Sequence, residues 1–376
     1  MQYEIALARY GELGIKSPPV RRRFERVLQE NIEHAFETER LDCIVERVRG
    51  RFLVHSSDLP RALRILRKIF GLTSVSPAVV RPSKLDELLP KIGEYYEAVA
   101  AEMPGIRSFA IRARRTGSHS YSSQDVAREG GGAVLAAPHG AHLKVDLGKP
   151  DLEISIEVRD DKAYLFHTTV RAPGGLPMGS QGRVAVLLKD LHSLVAAWLM
   201  LKRGCTIVPL HFDGPTGSRD RADSYEKVLR SWYFRGTLVH VPHYETNEFP
   251  RDATCVLCMR QMVRKAALLA RAKKCRALVT GEAFSSTTVE NLTLFGGITE
   301  LPILRPILGT TPEMVSDFLA AMGLEASKTV PFFEPCPLRT RGRVSEDRLR
   351  QLEQELGVEA RAHAAVRERE RAEASA

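Results

Sequence analysis

No stretch of this 376-residue chain approaches the roughly 18–20 consecutive apolar residues that a membrane-spanning helix needs. The first residues, MQYEIALARYGELGIK, carry acidic side chains and no continuous apolar region, which is not the pattern of a signal peptide. A cytoplasmic location with no membrane partner is the expectation. Cysteine is scarce, with six in the chain, too few for a disulfide framework in a protein of this size. No internal repeat is present. The most telling lack is local. The stretch VAVLLKDLHSLVAAWLM, Val184 to Met200, reads as a buried strand running directly into a helix. Phosphates bind at such joints because the helix N-terminus offers free N–H groups and a positive dipole end. The joint is normally glycine-rich, so that the backbone can approach the ligand. Here it reads Lys189-Asp190-Leu191-His192, with no glycine.

Positive charge is in excess. The net charge is +9, which favours an anionic partner, most commonly nucleic acid. The excess is uneven: residues 1–60 carry ten basic and ten acidic side chains, and residues 201–280 carry fifteen and seven. The chain is long enough for two or three domains, taking about 100–200 residues for each.

Residues 1–60 read as strand, helix, strand, strand, an α+β unit of ferredoxin-like type. Residues 61–172 read as a second α+β unit. It starts with a helix, PRALRILRKIFG, closed by Gly71. In SFAIRARRT, Phe109, Ile111 and Ala113 alternate with Ala110, Arg112 and Arg114, as on a strand with two unlike faces. A hairpin follows, turned at Asp160-Asp161. RAPGGLPMGSQG is a Gly/Pro-rich linker. Beyond it, over 173–345, strands near 184–188, 206–212, 236–242, 277–280 and 302–305 alternate with helices near 193–203, 219–234, 257–273 and 311–323. That alternation is a doubly wound α/β domain with a mainly parallel sheet. Residues 346–376 read as a charged helix and a frayed tail.

Cys255 and Cys258 form a CxxC at the start of a helix in RDATCVLCMRQM. A helix N-terminus favours the thiolate form of cysteine. Alone, a CxxC reads as structural zinc, a redox pair or two incidental cysteines, with His240 or His243 in VHVPHY as a fourth zinc ligand. Cys336 stands in FFEPCPLRTR, where a Pro-Cys-Pro turn presents a thiol on a loop.

In order along the chain, RYGELGIKSPPVRRRFERVLQENI, FAIRARRTGSHSYSSQDVAREGGGAV, KVDLGKPDLEISIEVRDDKAYLF, GGLPMGSQG, CVLCMRQM, LVTGEAF and ILRPILG resemble the tRNA 4-thiouridine synthetases, the ThiI-type tRNA sulfurtransferases. The resemblance implies a ferredoxin-like domain over 1–60, an RNA-binding THUMP domain over 61–172 and a PP-loop α/β domain over 173–345, with no rhodanese-like domain in this chain. It also implies sulfur transfer to uridine 8 of tRNA, an activating ATP with Mg²⁺, a sulfur donor protein or inorganic sulfide, and a homodimer. By the same resemblance, nucleotide positions fall on Val186, Leu187, Ser193, Gly281 and Arg305. The family's SGGxDS loop aligns with Leu188 to Ser193, and only Ser193 agrees. Lys189 and Asp190 replace the glycines, so the loop is degenerate and adenylation in the usual way is not expected. A family lysine falls on Met259. Cys255, Cys258 and Cys336 match a three-cysteine pattern that holds an iron–sulfur cluster and leaves one iron open for an extra sulfur. A persulfide on these cysteines is the other sulfur route.

Arg112, Arg114, Arg115, Lys144 and Lys149 in the THUMP-like segment, and Arg339 and Arg341 after Cys336, are the candidate tRNA contacts. Runs of arginine are also common as plain solvated faces. An alternative to the enzyme is a degenerate THUMP protein that binds tRNA without adenylation, as a chaperone or partner subunit.

Overall fold

The structure is a computed structural model that describes residues 2–48, 50–213, 219–243, 248–285, 287–324 and 344–374. It divides into two compact units, 1–175 and 176–376. The fold class is the expected one, an α+β first unit and a doubly wound α/β second unit.

In the first unit, β1 (Ile5–Tyr10), α1 (Pro18–Thr38), β2 (Ile44–Val48), β3 (Arg51–His55), α2 (Leu59–Leu66) and β4 (Leu72–Pro82) make a four-stranded ferredoxin-like sheet in the order β2-β3-β1-β4. Prolines at the first positions of α1 suit a helix start, where their missing N–H has no partner to lose. Phe24, Leu28, Ile32, Ala35 and Phe36 then recur at helical spacing and are buried. The helix α2 stops at Leu66, before the expected Gly71. Gly71 instead has a positive φ of 102° and leads into β4. This strand lies beyond the expected boundary at residue 60 and carries Pro77 and Pro82, which read as strand breakers. The sheet accommodates Pro77 because β4 changes neighbours there, pairing β9 (Val170–Arg171) at Ser74 and Val75 and β8 (Lys162–Phe166) from Val79 on.

The rest of this unit is α3 (Leu85–Glu102), β5 (Ser108–Thr116), α4 (Ser123–Leu135), β6 (Lys144–Val145) and β7 (Leu152–Arg159) with β8 and β9. Gly130, in the triple-glycine run of α4, lets that helix sit close to α3. A Cβ there would lie 3.1 Å from Ile92 Cδ1. The β7–β8 hairpin turns at Asp160, as expected, with φ of 49°. The strand β5 departs from simple alternation: Phe109, Ala110 and Ile111 are all buried, so both its faces are covered at the start and only its far end emerges. Glu157 on β7 takes Arg9 from β1 at 2.8 Å, Arg51 from β3 at 3.2 Å and Arg159 at 3.2 Å. Burial raises its carboxyl pKa, but the three arginines outweigh that and hold it below the ordinary value.

The second unit is a five-stranded, all-parallel sheet of β10 (Arg183–Leu187), β11 (Thr206–Asp213), β12 (Val239–Pro242), β13 (Leu278–Val279) and β14 (Ile303–Leu304). Its order, β12-β11-β10-β13-β14, reverses direction between β10 and β13. The helices are α5 (Leu191–Lys202), α6 (Arg219–Arg230), α7 (Thr254–Ala272), α8 (Val289–Thr293), α9 (Pro312–Ala321), α10 (Glu346–Glu355) and α11 (Val358–Ala374). The expected charged tail is thus a packed helix pair. Leu349 and Leu352 of α10 cluster with Ala253 and Leu257 at the start of α7, and Val366 of α11 joins Met262, Val263 and Ala266. Arg260 and Arg264 of α7 both grip Glu353 of α10, at 2.6 and 2.5 Å. Lys265, read from sequence as one of several cations on a basic helix, is fully buried and donates to the Pro242 carbonyl at 2.7 Å.

Candidate functional site

In a doubly wound sheet, ligands bind outside the carboxyl ends of the strands, where the strand order reverses. In this unit that point lies between β10 and β13. Val186 and Leu187 are fully buried on β10, the central strand. The next residues turn into α5. Asp190 caps this helix by accepting from Ser193 N–H at 2.8 Å. The Ser193 hydroxyl accepts from the N–H groups of Lys189 and Asp190, both at 2.9 Å, and donates to the Asp190 carbonyl at 2.6 Å. Thus Ser193, expected at the phosphates, is fully buried and closes the turn internally. The N–H pair that glycines would have left for a ligand is spent inside the loop.

Gly281 follows β13 and lies against this turn. A Cβ there would stand 2.4 Å from Ser193 N and 2.7 Å from the His192 carbonyl carbon, so only glycine fits. Arg305, just past β14, approaches Glu282 at 3.5 Å, and Glu282 in turn accepts from Thr280 Oγ1. Of the expected nucleotide positions, Ser193 and Gly281 are in contact, and Arg305 reaches the residue that follows Gly281.

The CxxC occupies the first turn of α7, which begins at the same end of the sheet. Ala253 at its N-cap position offers no side-chain acceptor, and Thr254 turns its hydroxyl back to the Pro250 carbonyl at 2.7 Å. Three residues apart, Cys255 and Cys258 lie on one helix face and are both partly exposed. The Nε2 of buried His243 is 3.2 Å from Cys258 Sγ. The Lys189 side chain, about 36% exposed, reaches over the turn. Burial disfavours its charge. Asp190, Glu282, Cys255 and Cys258 together outweigh that and hold the ammonium above its ordinary pKa. The Lys189 Nζ lies 3.9 Å from Asp190 Oδ2, within the closed turn. Met259 is packed against the core. Cys336, Arg339 and Arg341 lie outside the described residues.

A second group stands at the ends of β11 and β12. Of His240 and His243, which the sequence had offered as alternatives for a fourth ligand beside the CxxC, the structure brings only His243 to Cys258. His240 faces His211 and Asp213 instead, and neither of those two was singled out from the sequence. Burial pushes the His211 imidazole below its usual pKa. Asp213 is buried too, which raises its pKa, but Arg219 pairs with both its oxygens and keeps it below the ordinary value. The missed signal was a histidine near the carboxyl end of each of two adjacent strands, in LHFD and VHVP.

In the first unit, the structure brings Arg112 to the 147–149 loop. It pairs with Glu153 at 3.1 Å and donates to the Leu147 carbonyl. The edge strand β6 puts Lys144 beside Ser108 of β5, and Lys149 is exposed a few residues on. Arg114 and Arg115 are exposed at the far end of β5, with Arg115 donating to Gly117 O at 2.8 Å.

Profiles of known families match most of the chain. Residues 5–76 match the ThiI ferredoxin-like domain, 85–168 the THUMP domain and 179–344 the thiamine biosynthesis protein ThiI. A probable tRNA sulfurtransferase of Methanothermobacter thermautotrophicus is 35% identical over 348 residues, covering 88% of this chain and 87% of its own. One from Aeropyrum pernix is 34% identical, covering 86% and 84%. Among solved structures, a 4-thiouridine synthetase in complex with RNA and bound ATP superposes with a TM-score of 0.80 at 25% identity, covering 97% of this chain and 98% of that one. PH1313 from Pyrococcus horikoshii gives 0.72 at 25% identity, covering 85% and 100%.

Proposed function

Because the chain belongs to the ThiI-type tRNA sulfurtransferase family, we propose that it is an enzyme that binds tRNA and transfers sulfur to it, forming 4-thiouridine at position 8. One observation carries this reading beyond family membership. The CxxC thiols and the closed Lys189–Ser193 turn, where Lys189 approaches Asp190 at 3.9 Å, occupy the same carboxyl end of one sheet. A protein that kept only tRNA recognition would not need that convergence.

In the proposed reaction, ATP adenylates O4 of the uridine and pyrophosphate leaves. Sulfur then attacks C4, and AMP departs with the original oxygen. The 4-thiouridine synthetase with bound ATP supports ATP as the activator. The turn here lacks the free N–H pair of a glycine-rich loop, so the polyphosphate falls to Lys189, a point charge, rather than to a backbone cradle. Gly281 lets the chain after β13 pack directly against the backbone of this turn. The donor set on α7 suits an iron–sulfur cluster: two thiols one helical turn apart on the same face. Cys255, Cys258 and Cys336 would hold it, and it would supply a site for the transferable sulfur. The basic end of β5 with Lys144 and Lys149 is the proposed tRNA surface of the first unit, acting through phosphate contacts. None of the described helices is long and apolar enough to cross a membrane.

Mass spectrometry of tRNA from a strain lacking this gene tests the proposal. We expect 4-thiouridine to disappear and to return on re-expression. Its persistence would overturn the assignment in favour of a tRNA-binding relative without the chemistry.

A further inference from the structure

His211, Asp213 and His240 are brought together by strand register. The strands β11 and β12 are parallel neighbours in which His211 pairs with His240 and Asp213 with Pro242. His211 and Asp213 are two residues apart on one strand and so share a face. The register then sets His240 opposite His211 and diagonal to Asp213. One ligand atom from each residue lies within 4.8 Å of the other two.

The two imidazoles are oriented alike. Each has its outer nitrogen engaged and its inner nitrogen facing Asp213. His211 Nδ1 lies 3.3 Å from the Leu188 carbonyl, and His240 Nε2 lies 3.3 Å from Asp223 Oδ1. The inner nitrogens, His211 Nε2 and His240 Nδ1, are buried and have no hydrogen-bond partner among the described residues. They stand 3.7 and 3.5 Å from the same oxygen, Asp213 Oδ1, too far for good hydrogen bonds. Buried imidazole nitrogens normally find a partner, because leaving one without forfeits its hydration with nothing in return. A metal ion satisfies all three groups at once. In a tetrahedral site with bonds near 2.0–2.2 Å, neighbouring donors stand roughly 3.3–3.6 Å apart, close to the spacing seen here. Histidines that bind metal almost always give their second nitrogen to a carbonyl or a carboxylate, and here one does each. Arg219 meets Asp213 Oδ1 at 3.0 Å and also binds Oδ2, which fixes the carboxylate while one lone pair of Oδ1 still faces the histidines.

We propose that His211, Asp213 and His240 form a binding site for one divalent first-row transition metal, with Zn²⁺ as the best match. Two imidazoles and one carboxylate are borderline donors that select this class over Ca²⁺ or Mg²⁺. Three protein ligands leave a fourth position for water or another oxygen ligand. Lying at the carboxyl ends of β11 and β12, the site is separate in its residues from the CxxC, and the proposal does not depend on the cluster or on sulfur transfer.

The test must exclude the thiols, which also bind such metals. The full chain carrying Cys255→Ser, Cys258→Ser and Cys336→Ser is stripped with chelator and titrated with Co²⁺. We expect one equivalent to bind, with visible d–d absorption and no thiolate-to-cobalt charge transfer. His240→Asn in this background should weaken binding at least about tenfold, and Asp223→Asn, at an exposed outer partner, by less. Should His240→Asn fail to fold, Asp223→Asn gives the same readout. Absence of saturable binding in the triple cysteine-to-serine chain would overturn the proposal. So would binding that a folded His240→Asn, or Asp223→Asn in its place, leaves unchanged.

Discussion

Two helices begin at the same end of the second sheet, and their first turns are built in opposite ways. The α5 turn is closed by its own side chains. Asp190 and Ser193 cap each other and consume the backbone N–H groups, and Gly281 seals the back at a distance no side chain would permit. The α7 turn has alanine at its cap position and two partly exposed thiols, with His243 against one of them. In a doubly wound domain the first of these turns is the usual anion site. In the proposed reaction its anion contact falls to the Lys189 side chain instead of to fixed backbone groups. The two thiols sit on the neighbouring turn, in the helix that α10 and α11 pack against.

The largest expected effect comes from the open turn. Cys258→Ser should lower 4-thiouridine formation on the order of a thousandfold or more, read by mass spectrometry of tRNA, because it removes the sulfur ligand or nucleophile itself. Full activity in this variant would place the chemistry elsewhere. Next is the brace. Glu353→Ala leaves Arg260 and Arg264 without their shared carboxylate in a mostly buried setting, a loss of roughly 3–5 kcal/mol in urea unfolding. Burial raises the Glu353 pKa, but the two arginines lower it further, so its net shift is downward. The unfolded state therefore binds the proton more readily. The contribution is fully present above the ordinary glutamate pKa of about 4.3 and fades as pH falls toward the depressed folded value. Wild type and Glu353→Ala should thus converge in stability on acidification.

The closed turn answers to Gly281→Ala. A Cβ at 2.4 Å from backbone forces the turn apart at a cost of about 1–3 kcal/mol, measurable in the same unfolding experiment. Smallest is Arg114→Ala in the first unit. It should weaken tRNA binding modestly and reduce the slope of log affinity against log salt by about one, read by filter binding across a salt series.

The comparison also marks what could be read in advance. The alternation of strand and helix after residue 182 was legible because buried parallel strands are continuous apolar runs, and the CxxC and the glycine-free joint were plain in the sequence. That the joint is closed by Ser193 was not, since a serine hydroxyl binds its own backbone or a phosphate equally well until the turn is built. The strand β4 was not read from the sequence; its Pro77 stands opposite Ala6 of β1, where the neighbour on the other side changes from β9 to β8. His211, Asp213 and His240 meet only through the β11–β12 register, which spacing along one chain does not encode. Lys265 looked like one more cation on a basic helix, yet it is buried on the Pro242 carbonyl.

In the proposed reaction Lys189 does at the closed turn what glycine backbone does in an ordinary phosphate loop. Calorimetric titration of Mg-ATP into the wild-type chain and Lys189→Ala tests it most directly. We expect saturable binding to wild type and a loss of at least about tenfold in the variant, as for removal of a charge-assisted contact. Equal affinities, or no binding to the wild-type chain at all, would contradict it.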